Sequence, residues 1–275
     1  MKKFIVCTSI NPPTQAIKKF DNFKDWTLIV VGDLKTPKNY KLKNGIFLNK
    51  REQNLIDKKL SDLIGWNCIE RRNFGILLAK KHNADIIALV DDDNIPYKDW
   101  GKNLLVGKKK FINTYEVKTP VFDPISVTKY KNLWHRGFPL NLLDQRNAKL
   151  VGKKKIMIDV QADFWDGDPD IDAITRVIFK PKCKFEKKIF PFHSKKISPF
   201  NSQNTFLSSN LLKDYFLFPD QGRMQGTRFS VSQCALVHAL SHSQREAVQS
   251  PFPKQSETDA HSPPPRGKAA NSADE

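Results

Sequence analysis

The chain has 275 residues but only four cysteines, Cys7, Cys68, Cys183 and Cys234, all far apart. No CxxC pair and no Cys/His spacing suited to zinc is present. The thiols are therefore expected to be reduced and mostly buried, as in a reducing compartment. No stretch approaches the roughly 20 apolar residues of a membrane span. The opening MKKFIVCTSINPP is charged and then apolar, but the apolar run is too short for a secretory signal and reads as a first strand. Internal repeats are missing too. These absences lead to the expectation of a cytoplasmic protein without a transmembrane anchor.

The last 55 residues lack Trp, Tyr and Ile and hold only two of the 29 aromatic residues. They are rich in Ser, Gln, Ala and Pro. A segment so poor in large apolar groups cannot offset its ordering entropy, so a low-complexity, disordered tail is expected over residues 225–275. Within it, VSQCALVHALSHSQREAV has the pattern of a short helix. The formal net charge is +17, nearly all of it carried by the first part of the chain. A basic balance of this size points to anionic partners, among them nucleic acid, anionic membrane or phosphorylated small molecules. The lysines are dispersed and no RNA- or DNA-binding motif occurs, which argues against a specific nucleic-acid partner.

What remains is an aromatic-rich segment in which strand and helix signals alternate. KFIVCTS forms a compact apolar run, Pro12 and Pro13 break it, and Thr14 can cap a helix reaching Phe20. Strands are expected at Trp26–Asp33 and Gly45–Asn49. A helix is expected at Ile69–His82, where Ile69, Phe74, Leu77 and Leu78 recur at helical spacing. A buried strand follows in DIIALVDDD. Further on, Lys153–Phe164 reads as one strand. Pro169–Ile178 reads as a helix with Pro near its first position and two acids in its first turn. Asn204–Phe216 reads as a short strand and a short helix. This alternation predicts an α/β fold with a mostly parallel sheet and helices on both faces.

In such sheets, ligands bind beyond the carboxyl ends of the strands. Asp91, Asp92 and Asp93 lie at such an end. Three adjacent carboxylates suit Mg²⁺ or Mn²⁺ bound together with substrate phosphates, since a divalent ion relieves their repulsion. Strand geometry sends Asp91 and Asp93 to one face and Asp92 to the other. Asp91 and Asp93 are thus the candidate metal ligands, with Asp91 also a nucleotide contact, and Asp92 is assigned a structural hydrogen bond. An acidic turn after a strand is the alternative. Arg72, near the start of the preceding helix, is placed to bind phosphate or to pair with the triplet. Gly75 permits close approach of backbone or ligand. A second acidic run, DFWDGDPDIDA, holds Asp163, Asp166, Asp168, Asp170 and Asp172 around Trp165. Trp165 can stack on the apolar face of a sugar. Asp168 and Asp170 are the candidates for a general base acting on an acceptor hydroxyl, although turn and N-cap roles compete for these residues. NSQNTF, including Asn204, offers amides able to read sugar hydroxyls.

The stretches DWTLIVVGDLKTPKNY, RRNFGILLAKKHNADIIALVDDDN, HRGFPLN, DFWDGDPDIDAI and SPFNSQNTFLSSNLL together resemble the STELLO-type glycosyltransferases. These are relatives of the reversibly glycosylated polypeptides that include UDP-arabinopyranose mutases. The resemblance runs over residues 1–224 and implies a GT-A-like, Rossmann-type nucleotide-sugar-binding domain. It implies a metal-dependent transfer from a nucleotide-diphosphate sugar, such as a UDP-sugar, to an acceptor. A UDP-sugar mutase and a non-catalytic nucleotide-sugar binder are the alternatives. It further implies base and ribose contacts at Thr8, Ser9 and Asp33, a phosphate contact at Lys35, and a catalytic role for Arg136 of HRGFP, for which a phosphate-binding or structural arginine is the competing assignment.

The family pattern continues into an Asp-Asp-x-Trp segment, and here none follows FPDQGRM. Composition changes within a few residues of Met224. A frameshift, a fusion or a recombined end after about Met224 is the expected cause of both changes.

Overall fold

The computed structural model describes residues 1–212 and 215–217, together with the backbone of two strands at 227–229 and 236–245. Among the described residues, thirteen strands and five α-helices follow in chain order. They are β1 (Lys3–Thr8), α1 (Gln15–Phe20), β2 (Thr27–Val31), β3 (Ile46–Leu48), α2 (Lys50–Ile56), α3 (Lys58–Ile64), α4 (Arg72–Lys81), β4 (Ile86–Val90) and β5 (Asn94–Pro96). After these come β6 (Lys109–Glu116), β7 (Lys149–Met157), β8 (Val160–Gly167), α5 (Ala173–Phe179), β9 (Phe192–Ser194), β10 (Pro199–Asn201), β11 (Asn204–Ser208), β12 (Thr227–Phe229) and β13 (Leu236–Arg245).

The first half follows the expected pattern. β3, β2, β1 and β4 lie side by side and all pair in parallel. Their side chains alternate between two cores. Ile5, Cys7, Val30, Ala88 and Val90 pack with Ile17 and Phe20 of α1 on one face. Val6, Ile29, Val31, Ile87 and Leu89 pack with Phe74, Ile76 and Ala79 of α4 on the other. Thr14 caps α1 by accepting from the Ile17 N–H, as its position suggested. Gly75 brings α4 against the sheet. A Cβ there would lie 3.0 Å from Val31 Cγ2 and closer still to Val6 Cγ1, so the approach Gly75 permits is to the sheet rather than to a ligand.

Beyond β4 the sheet is mixed. β11 inserts antiparallel between β4 and β8, an arrangement that the alternation of local signals did not convey. The single strand expected over Lys153–Phe164 is two strands. Among the described residues β7 is a largely exposed edge strand paired with β6 alone, whereas β8 is buried in the sheet next to β11. The chain turns between them at Ile158 and Asp159, where the Ile158 N–H donates to Lys108 O and Asp159 O accepts from the Ser208 N–H. The helix expected from Pro169 starts later, at Ala173. Asp172 caps it and its first turn holds no acid, because Asp170 is drawn away into an ion pair. Two helices not expected from the sequence, α2 and α3, cover the second core. Their signal is the reciprocal capping box of Asn49 and Glu52. Where a short helix was expected after Val231, β13 runs parallel to β8 instead, its backbone groups taken up by that pairing. β12, paired antiparallel with β10, also falls where disorder was expected, and the remaining residues of the expected tail lie outside the described ones.

Candidate functional site

Thr8 and Ser9 end β1, Asp33 follows β2, and Asp91 follows β4, so the parallel register delivers all four to one edge of the sheet. A cleft of about 400 Å³ opens there. Thr8, Ser9, Asp33, Lys35, Asn67, Arg71 and Asp92 are among its lining residues. The structure therefore gathers Thr8, Ser9, Asp33 and Lys35 in one place. Asp33 is fixed by its surroundings, with Oδ1 accepting from the Leu34 and Asn67 N–H groups at 2.6 and 2.9 Å and Oδ2 from Cys68 N–H at 3.1 Å. Lys35 is exposed at the rim.

The first two aspartates of the triplet divide as strand geometry requires. Asp92 turns toward β1 and α1. Its Oδ2 accepts from Ser9 Oγ at 2.6 Å and Asn11 Nδ2 at 3.0 Å, and its carbonyl accepts from Thr14 Oγ1 at 2.5 Å. Asp91 turns the other way, toward α4, where Arg72 Nη2 donates to its Oδ1 at 2.7 Å. Asp93 is partly exposed beside them.

Arg72 is 1% exposed. Of the two roles open to it, its guanidinium takes the pairing one. Besides Asp91 it donates to Thr8 Oγ1 at 3.2 Å, Ser202 Oγ at 2.9 Å and Ser202 O. Burial disfavours its charge, but the Asp91 carboxylate overrides this and holds the guanidinium above its usual pKa. Its neighbour Arg71 is equally buried and does other work. Nε donates to Gln53 Oε1 at 2.8 Å, Nη1 reaches Ser61 O and Gly65 O, and the guanidinium stacks 3.5 Å from the Trp66 ring centroid. Arg71 thus clamps α2 and α3 to the wall of the cleft.

The second acidic run assembles at the far end of β8. Asp170 is 9% exposed at its side chain, and Arg136 Nε lies 3.0 Å from its Oδ1. Asn201 Nδ2 donates to Asp170 Oδ2, and His135 Nε2 lies 3.8 Å from the same oxygen. Arg136 Nη2 is buried and makes no hydrogen bond with a described residue. Asp168 is paired through both oxygens with Arg176. Trp165 is 3% exposed and donates from Nε1 to the Asp168 carbonyl at 2.7 Å. It therefore forms an inner wall of a small cavity of about 20 Å³ shared with His135, Asp163, Asp170 and Asn201. Asn204 is 2% exposed, and its Oδ1 accepts from Trp100 Nε1 at 3.1 Å within the first core. It is not among the residues gathered at the cleft.

The loop before β11 joins the two acidic groups. Asn201 binds Asp170, the next residue Ser202 binds Arg72 and through it Asp91, and Gln203 O accepts from Asn94 Nδ2 at 2.9 Å. Asn201 and Ser202 are the residues whose part here was not foreseen, although the run NSQN was marked as a source of amides. Asp163 also stands out, because burial raises its pKa well above the usual carboxylate range.

No family model matches the chain. Two plant proteins do. It is 27% identical over 231 residues to "Probable glycosyltransferase STELLO1" of Arabidopsis thaliana and 28% identical over 235 residues to "Probable glycosyltransferase STELLO2" of the same plant. Each match covers 76% of this chain and 30% of the relative, so the chain matches only about a third of the length of these proteins. The resemblance carried by the five sequence stretches is thus borne out across most of the chain.

Proposed function

We propose that this chain is a GT-A-type glycosyltransferase domain that takes a nucleotide-diphosphate sugar, with UDP as the nucleotide. The observation that carries the reading is the linkage of the two acidic groups by Asn201 and Ser202 at the carboxyl edge of parallel strands. The similarity to two proteins named as glycosyltransferases supports it. In this reading the nucleotide occupies the cleft of Thr8, Ser9 and Asp33, with Lys35 at the phosphates.

The donor set fits a divalent cation. Asp91 gives Oδ1 to Arg72, and its Oδ2 is engaged by no described residue, while Asp93 follows two positions later. Among the described residues no group of three His, Cys, Asp or Glu side chains is arranged to hold a metal. Mg²⁺ and Mn²⁺ take one or two carboxylates and complete their shell with phosphate oxygens and water, so Asp91 and Asp93 alone would serve as protein ligands in this reading. Bound there, the ion would offset the charge of the departing diphosphate.

The sugar then points toward Arg136 and Asp170. The buried Nη2 of Arg136 offers a hydrogen bond and positive charge to the donor. In the transfer, the bond from the anomeric carbon to the phosphate oxygen breaks and one to the acceptor oxygen forms. The acceptor proton passes to a carboxylate, Asp170 or Asp168, and the nucleoside diphosphate leaves with the bonding pair.

Titration calorimetry with UDP-sugars, with and without Mn²⁺, tests this. Binding is expected to require the metal and to weaken at least tenfold in Asp91→Ala and Asp93→Ala. Metal-independent binding, or binding unchanged in both variants, would overturn the site. Product analysis without an added acceptor separates transfer from mutase chemistry, which needs none.

A further inference from the structure

The β6–β7 pair presents a face that the proposed reaction does not use. Its register fixes which side chains share that face. Lys109 lies opposite Met157, Phe111 opposite Lys155, and Asn113 opposite Lys153. Side chains opposite one another in a ladder stand on the same side of it. The alternate residues Ile112 and Ile156 pack into the first core, so the side bearing Phe111 turns outward. Phe111 is 65% exposed and Met157 49%, with exposed Lys109, Lys153 and Lys155 around them. Lys155 Nζ stands 5.9 Å from the Phe111 ring centroid. Leu150 and Val151 continue the exposed apolar surface along β7. The two strands carry six lysines and one acid, Glu116, which lies 3.9 Å from Lys154.

Apolar groups set among cations call for a partner that is apolar and anionic at once. A second copy of the chain does not meet this requirement. Added to the edge of β7, it would bring lysines against Lys153 and Lys155, the device by which edge strands repel pairing. Single-stranded nucleic acid stacks successive bases on successive rings, and this face offers one ring, Phe111. An anionic bilayer takes up both kinds of group. Phe111 and Met157 enter the boundary between headgroups and acyl chains, while the ammonium groups stay at the level of the lipid phosphates and carboxylates. We propose that the outward face of β6 and β7 docks this chain on the surface of an anionic lipid bilayer. The strand order keeps that contact away from the nucleotide cleft, because β11, β8, β13, β9 and β6 stand between β4 and β7. The docking stands independently of the glycosyltransferase reading.

Co-sedimentation of the full chain with vesicles tests this, using phosphatidylcholine alone and phosphatidylcholine with about 30% phosphatidylserine. Binding is expected to the phosphatidylserine vesicles alone and should weaken as salt rises. Lys153→Glu combined with Lys155→Glu should weaken it by about tenfold or more, as should Phe111→Ser combined with Met157→Ser. Lys153→Arg combined with Lys155→Arg keeps the charge and should stay within about threefold of wild type. Lys59→Glu combined with Lys81→Glu makes the same change of net charge on α3 and α4. It too should stay within about threefold, which separates this face from general attraction to a basic chain. All these side chains are exposed, and thermal melting confirms the fold of each variant. A wild type that ignores phosphatidylserine vesicles overturns the proposal. So does a folded Lys153/Lys155 reversal or Phe111/Met157 variant that binds as well as wild type, or a Lys59/Lys81 variant that loses as much. A single-stranded RNA oligonucleotide bound more tightly than the vesicles at the same salt, and lost in the same variants, would assign the face to nucleic acid and overturn the membrane reading.

Discussion

Replacing Arg72 with Met tests whether the acidic edge depends on one buried cation. Met fills much of the same space but makes none of the four hydrogen bonds, to Asp91, Thr8 and twice to Ser202. Asp91 is 21% exposed and Arg72 only 1%, so this pair belongs with partly buried ion pairs rather than surface ones. Removing one partner of a buried pair typically costs about 3–5 kcal/mol, because the other charge is left without compensation. At about 2–4 °C per kcal/mol for a domain of this size, the midpoint should fall by roughly 6–20 °C. Urea denaturation followed by tryptophan fluorescence measures the loss directly. If uncompensated charge is the cause, adding Asp91→Asn to Arg72→Met should restore part of the loss, whereas two independent contacts would simply add. A loss below about 1 kcal/mol for Arg72→Met, or simple additivity in the double variant, would refute the reasoning.

Gly75→Ala should destabilise by about 1–3 kcal/mol, because its methyl group meets Val6 and Val31 and α4 must shift from the sheet; thermal melting checks this. Asp163 should also shape stability against pH. Its pKa is raised by burial, so the folded state binds a proton more tightly than the unfolded chain does. The contribution is full below the unfolded carboxylate pKa and is lost as pH rises through the folded value. Asp163→Asn should flatten that decline, which denaturation at a series of pH values would show.

Much of the nucleotide side was legible because it rests on local pattern. Apolar runs bounded by Pro or Asp marked β1, β2 and β4, and period-two alternation sent Asp91 and Asp92 to opposite faces as expected. The capping box at Asn49 and Glu52 was equally local, and it would have revealed α2. Residues whose surroundings depend on distant pairing were less legible. Arg72 spends its guanidinium on a residue 130 positions away, which no local signal conveys. Trp165 and Asn204 belong to motifs suited to sugar contact, yet their hydrogen bonds go to the Asp168 carbonyl and to Trp100. The break between β7 and β8 was hidden because one apolar run contains an edge strand and a central strand with different neighbours.

The insertion of β11 between β4 and β8 has a consequence for synthesis on the ribosome. Every residue of β4 is buried, yet one of its two neighbours emerges only after Asn204 has been translated. Until then the growing chain holds an apolar strand with a bare edge, and Arg72 lacks its Ser202 partner. Early segments can collapse around β1 and β2, but the acidic edge cannot close until residues 202–208 have been made. Such an interval exposes unpaired backbone to neighbouring chains. Closure of the acidic edge thus depends on a segment that arrives late, however early its aspartates appear.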